Sequence, residues 1–308
     1  MLGPVILAAS RSDTMRRLVS AAPVTKPVVD RFIAGETVDD VVPVIKETVG
    51  RGLDVTLDVV GEDITTPEQA TAARDAYLTL IERLEGLGLG AKAEMSVKLS
   101  MFGQALPGGH DLALANVRPV VEAAARIGTT VTLDAEAHTT LDSMFTIHEE
   151  LRKDVPETGC VIQAYLFRTA ADARRLAASG SRVRLVKGAY KEPASVAFQD
   201  RETIDKAYVR VLRTLMEGDG YPMIGTHDPR LIAIGQELAH RAGRGLDGYE
   251  FQMLYGIRAD EQLRRAAAGH RVRVYTAYGT DWYGYFMRRL AEKPANLRFF
   301  VRTMLTQG

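Results

Sequence analysis

Cysteine is nearly absent: there is one, Cys160, in 308 residues. A single thiol excludes an internal disulfide and a zinc site built from cysteines. Its apolar setting, GCVIQAYL, reads as a buried inert thiol. An excess of charge is absent too. Lys+Arg and Asp+Glu both number 39, whereas a nucleic-acid binder carries a basic excess, so no nucleic-acid partner is expected. Long apolar runs are missing: none approaches the roughly 18 residues of a spanning helix. The N-terminal MLGPVILAASRSD lacks the basic n-region of a secretion signal. The expected location is cytoplasmic, with peripheral contact at the inner face of the cell membrane left open. Familiar chemical signatures also fail to appear. There is no GxxxxGKS/T loop, no GxGxxG after a strand and no GxSxG elbow. His227 and Asp228 are adjacent, and His138 and His148 lack ligand-spaced neighbours, so no metal site is expected.

What is present is an ordinary globular composition, 46% hydrophobic and 25% charged, in a 33.7 kDa chain. Eight short β-branched runs recur: 53–60, 93–100, 130–136, 159–166, 182–190, 222–228, 249–254 and 271–279. Longer helical stretches such as PEQATAARDAYLTLIERLEGLG separate them. Helical crossovers imply parallel pairing, and eight such units over about 250 residues fit a (β/α)8 barrel. An open doubly wound sheet is the rival fold. Residues 1–50 read as an arm of two or three helices (TMRRLVSAAP, PVVDRFIAG and VDDVVPVIKETVGRG), and 51–308 as the barrel.

The strands read as apolar first and polar at their C-terminal ends, where a barrel opens its active site. Lys98, Ser100, Asp134, Glu136, Gln163, Tyr165, Arg184, Lys187, Tyr190, Thr226, His227, Asp228, Gln252, Tyr275 and Tyr278 all fall there. Singly, each has a plain alternative. Asp134 or Glu136 can cap a helix, Lys98 can be a rim lysine, His227 a turn residue, and Asp228 before Pro229 an N-cap. A buried Gln163 needs partners. The last helix adds Tyr285, Arg288, Arg289 and Glu292 at i, i+3, i+4, i+7, one face of a helix. Trp282, Phe286 and Leu290 form a second stripe that can anchor it over the barrel mouth. The cationic lining suits an anionic ligand, since carboxylates and phosphates both take bidentate arginine bonds.

The runs MSVKLS, LDAE, VIQAYL, RLVKGAY, GTHD, EFQMLYG and YFMRRLAE, in this order over roughly residues 20–300, resemble the proline dehydrogenase family. The likeness is to its short, single-function bacterial form, since no aldehyde dehydrogenase domain follows. It implies a distorted (β/α)8 barrel with FAD. The implied reaction oxidises L-proline to Δ1-pyrroline-5-carboxylate by hydride transfer to flavin N5, with electrons passed to a quinone. A partner pyrroline-5-carboxylate dehydrogenase is compatible with it. By this resemblance Arg288, Arg289 and Lys98 bind the substrate carboxylate. Tyr275, Tyr285 and Leu254 pack around the ring, Asp134 lies under it, and Glu62 is a gate residue. Gln163, Arg184, Val186, Lys187, Gly188, Ala189, Thr226, His227, Gln252 and Glu292 fall at flavin-contact positions. The chain departs from the family at Thr276-Ala277 and near Gly284, where proline is common; this touches loop stiffness rather than chemistry. Two rival classes remain on the residues alone. One is a Schiff-base aldolase using Lys98 or Lys187; the other is a ligand-binding barrel without catalysis.

Overall fold

The computed structural model describes residues 26–61 and 64–292. The first arm helix expected from sequence, TMRRLVSAAP, and the gate candidate Glu62 lie outside the described residues. Eight parallel strands close a barrel in sequence order. They are β1 (Asp54–Val59), β2 (Ala93–Val97), β3 (Val131–Leu133), β4 (Gly159–Gln163), β5 (Arg182–Val186), β6 (Tyr221–Gly225), β7 (Glu250–Leu254) and β8 (Val272–Tyr278). The arm contributes α1 (Lys26–Val29) and α2 (Val38–Gly50). Seven helices then carry each strand to the next: α3 (Pro67–Glu85), α4 (Gly109–Arg126), α5 (Leu141–Arg152), α6 (Thr169–Ala178), α7 (Arg201–Glu217), α8 (Pro229–Arg241) and α9 (Ala259–Ala267). A last helix, α10 (Trp282–Glu292), follows β8. The closed barrel, not the open sheet, is therefore the fold.

Local chemistry starts several of these helices. Thr66 caps α3 by accepting from the Gln69 amide, with Pro67 at the first helical position. Asp200 caps α7 through Thr203 N at 2.7 Å, and Asp228 caps α8 through Arg230 N at 3.0 Å. Outward strand residues such as Val55, Leu57, Met95, Leu185 and Phe251 join the helices in one large apolar core.

The barrel interior departs from the sequence reading of strands that are apolar first. Its N-terminal half is charged: Glu94 and Glu250 are fully buried and Arg273 is 2% exposed. Arg273 Nε donates to Glu250 Oε1 at 2.8 Å and stands 3.7 Å from Glu94 Oε2. Glu94 also accepts from Thr56 at 2.8 Å, Thr132 at 2.6 Å and Arg182 at 3.3 Å. Side chains alternate across a strand, so in VRVY the valines face the helices while Arg273 and Tyr275 face the barrel axis. Buried charges persist only when paired and hydrogen-bonded, and these are. The strands are also shorter than their sequence runs. β2 ends at Val97 and β3 at Leu133, so Lys98, Ser100, Asp134 and Glu136 stand just past the last paired residues.

The second arm helix expected from sequence shrinks to the four-residue α1. Ala34 N leaves the helical path to donate to Ala277 O at 2.9 Å, tying the arm to β8. Gly35 makes the turn with φ +145°, where a Cβ would fall 2.2 Å from that of Asp40. Val28, Phe32 and Ile33 then pack with Trp282, Tyr285 and Phe286 of α10 in a second apolar cluster. Phe32 and Phe286 lie 6.2 Å apart, and Trp282 Nε1 donates to Glu36 Oε1 at 2.8 Å.

Candidate active site at the barrel mouth

Asp134, one residue beyond β3, is the hub of the mouth. Its Oδ1 accepts from Arg184 of β5 at 2.5 Å and its Oδ2 from the Tyr275 hydroxyl of β8 at 2.9 Å. Lys98 Nζ approaches Oδ2 at 3.8 Å. Three strands thus converge on one carboxylate, which does not cap α5: the residue before that helix is Thr140. Arg184 is buried and spans the barrel, donating also to Ser96 at 2.6 Å and Gln252 at 2.9 Å. Burial alone would weaken its proton affinity; Asp134 and Glu94 reverse that and hold it charged. Tyr275 is pushed far above the ordinary phenol range by burial, then by Asp134 and Asp58, so it stays a hydroxyl donor.

Lys98 points toward the mouth, its side chain 25% exposed. Its nearest partner is Asp58 of β1, at 2.5 Å. Burial disfavours the ammonium, yet Asp58 and Asp134 outweigh it and raise its pKa. Glu136 accepts from the Ser100 hydroxyl at 2.6 Å and the Ser100 amide at 3.0 Å; burial raises its pKa against those bonds. Helix α10 brings Tyr285 close enough to Tyr275 to influence its ionisation. The Arg289 guanidinium lies 5.0 Å from the centre of the Tyr285 ring. Arg288 is exposed and acts electrostatically on Tyr190, in the loop after β5, which also senses Glu136 and Asp134. Leu254 closes β7 and packs with Tyr275 against the α10 cluster.

The remaining candidates divide into those that face this hub and those held elsewhere. Gln163 is buried and donates to the carbonyls of Ala135 and Glu136, both at 3.3 Å. Its Oε1 is buried with no hydrogen-bond partner among the described residues. Val186 ends β5 half-buried, and Ala189 is exposed. Gly188 has φ +114°, and a Cβ there would lie 2.3 Å from the Tyr165 ring, so only glycine fits. His227 accepts from Leu254 N at 2.9 Å while its carbonyl accepts from Arg258 at 2.6 Å, fixing the β6–α8 loop on β7. Thr226 Oγ1 accepts from Asp228 N at 3.1 Å. Lys187 turns instead to Asp205, at 2.5 Å, and Asp228, at 3.5 Å. Glu292 is the last residue of α10. The sequence reading missed Asp58 and Ser96. Ser96 sits two residues from Lys98, and that spacing was the available signal; Asp58 had no recognised inward residue on its own strand.

Fold and site together define a (β/α)8 barrel with a hydrogen-bonded cluster of charged side chains at its mouth. The family model described as proline dehydrogenase matches residues 41–302. The chain is 39% identical to the proline dehydrogenase of Deinococcus radiodurans, covering 90% of this chain and 89% of the relative. It is 35% identical to proline dehydrogenase 1 of Bacillus subtilis, covering 99% of each. In fold it is similar to proline utilization A of Bdellovibrio bacteriovorus inactivated by N-propargylglycine. That comparison has a TM-score of 0.81 and 24% identity, and covers 87% of this chain but 33% of the longer one. The chain belongs to the proline dehydrogenase family, and its activity is the oxidation of proline in proline catabolism. Among the described residues, no helix is long and apolar enough to cross a membrane.

Proposed function

We propose that the barrel mouth oxidises L-proline to Δ1-pyrroline-5-carboxylate with FAD as its cofactor and a quinone as the final electron acceptor. The observation that carries this reading is the convergence of Lys98, Asp134, Arg184 and Tyr275 on one point beside the unpartnered Gln163 Oε1. A buried acceptor without a donor suits a cofactor N–H. Gln163, Arg184, Thr226, His227 and Gln252 offer the hydrogen-bonding set that a flavin ring needs, and the Gly188 turn keeps the loop after β5 open to it. FAD, when bound, supplies the two-electron acceptor for the hydride leaving the carbon beside the ring nitrogen.

The chain's own residues do the rest. Arg288, Arg289 and Lys98 take the substrate carboxylate, the guanidiniums through paired N–H donors and the ammonium as a point charge. Tyr275, Tyr285 and Leu254 enclose the apolar ring and exclude water. Fixing both ends of a small zwitterion orients a single C–H, which is the entropic part of the rate. Asp134 holds Arg184 and the Tyr275 hydroxyl in place. Arg184 keeps a positive charge where the reduced cofactor becomes negative.

The Schiff-base alternative loses ground on geometry. Such a lysine must be neutral and free to attack, whereas Lys98 is held charged by Asp58 and Asp134. Lys187 is engaged by Asp205 and Asp228. The deciding experiment is anaerobic addition of L-proline to the purified protein. A yellow flavin spectrum that bleaches is the expected result; a colourless protein, or a spectrum indifferent to proline, overturns the reading.

A further inference from the structure

Asp58 is nearly inaccessible, 1% exposed, and lies on the inner face of β1 between Thr56 and the barrel mouth. Its Oδ1 accepts from Lys98 Nζ at 2.5 Å, while its Oδ2 is buried without a hydrogen-bond partner among the described residues. A buried carboxylate with one vacant oxygen is costly, and Asp58 is not itself among the groups assigned to the substrate or the cofactor. What it does touch is the one titratable cation of the clamp.

An ammonium has three N–H donors. In Lys98 one goes to Asp58, and a second faces the Tyr275 oxygen at 3.5 Å and Asp134 Oδ2 at 3.8 Å. The third is left for a ligand entering from the mouth. Burial works against the charge on this nitrogen. Its neighbours are Asp58 from β1, Asp134 after β3, Glu136 beyond it and Tyr275 from β8. Arg184 from β5 pairs with Asp134, Tyr190 senses the charges of Glu136, Asp134 and Asp58, and Tyr285 acts on Tyr275. Of the carboxylates, Asp134 already accepts from Arg184 and Tyr275. Asp58 has no other cation within ion-pair distance among the described residues.

We propose that Asp58 is a positioning residue for proline binding: it keeps the Lys98 ammonium charged and aimed so that its third N–H meets the substrate carboxylate. The proposal rests on the reading of Lys98 as a carboxylate donor given above. Lys98 raised in pKa by Asp58 and Asp134 fits it. Without Asp58 the same half-buried ammonium loses its closest counter-charge, and desolvation can bring its titration into the range of ordinary assays.

The test uses the purified holoenzyme and cyclopentanecarboxylate, a five-membered-ring carboxylate with no amine, so that only protein groups titrate. Binding is measured by calorimetry from pH 7 to pH 9. Kd should stay flat for the unmodified enzyme. In Asp58→Asn it should weaken about fivefold or more over that span, as Lys98 loses its proton. Asp58→Glu should keep the profile flat, and so should Asp58→Asn combined with Lys98→Arg, whose guanidinium does not titrate there. If Asp58→Asn yields no folded protein, Asp58→Ser carries the same expectation. A flat profile in the neutral variant, with Lys98→Met weakening Kd, overturns the role of Asp58 alone. Lys98→Met binding as tightly as the unmodified enzyme overturns the carboxylate reading of Lys98, and this proposal with it.

Discussion

Tyr275 is fixed from three directions. Its hydroxyl donates to Asp134 at 2.9 Å and accepts from Lys98 at 3.5 Å, and the Arg184 guanidinium lies 5.2 Å from the ring centre. A side chain held this way cannot swing aside for a bulkier substrate without a cost, because doing so leaves a half-buried carboxylate and an ammonium without a shared partner. If its ring faces the substrate ring, the phenol occupies the space a ring hydroxyl needs. The enzyme should therefore prefer L-proline to hydroxyproline, and Tyr275→Ser should narrow the ratio of their kcat/KM values by about tenfold or more, the size expected when one group is removed from a pocket wall. The check is steady-state kinetics on both substrates for both enzymes. Equal efficiencies in the unmodified enzyme would sink the claim.

Helix α10 works as a unit with the arm rather than as an appendage of β8. Trp282 and Phe286 share an apolar cluster with Phe32 and Val28 of the arm, and Trp282 donates to Glu36. Since α10 carries Arg288 and Arg289, their precision depends on apolar contacts made on its other side. Phe32→Ala should raise KM for proline about fivefold or more while kcat changes less than about twofold, because only the seating of the helix is loosened. Phe32→Ala and Phe286→Ala together should couple rather than add, as contacting aromatics do; strict additivity in thermal unfolding would show that the two rings do not share a contact. The same element shows what was legible beforehand. The two stripes of α10 follow from spacing alone, and the eight strands follow from β-branched runs between helical stretches. Strand ends did not follow, since pairing geometry rather than residue type stops β2 before Lys98 and β3 before Asp134. Nor did the charged interior. Arg273 between two valines looks like a surface position in an antiparallel strand, and only closure of a barrel turns that face inward. Most site residues were legible as polar groups at strand ends and on one face of α10, whereas their roles, and Leu254, Val186, Gly188 and Ala189, came from the family likeness. Asp58 and Ser96 escaped because they lie inside runs that read as apolar.

Across the whole molecule, two buried groups on opposite sides of the barrel wall set its tolerance of acid. His148, on α5 behind β4, donates through Nε2 to the Thr158 carbonyl, 3.1 Å away. Burial, helped by the charge on Arg152, lowers its pKa from 6.5 to about 4. The unfolded chain then binds a proton that the folded one refuses. Stability from His148 is fully present above pH 6.5 and is lost as pH falls toward 4. Glu94, inside the barrel, would be raised by burial, but Arg273, Arg182 and Arg184 overcome this and lower it from 4.5 to about 2. Its contribution is fully present above pH 4.5 and is lost as pH falls toward 2. Each shift corresponds to roughly 3 kcal/mol, against a total of about 5–15 kcal/mol for a folded protein. Acid should therefore act in two successive ramps, and the first alone should be visible as a fall in the urea midpoint between pH 6.5 and 4.5. His148→Gln keeps an N–H for the Thr158 carbonyl but cannot titrate, so it should flatten the first ramp and leave the second. If the urea midpoint of that variant falls with pH as steeply as that of the unmodified enzyme, the first ramp belongs to other groups and the assignment to His148 fails.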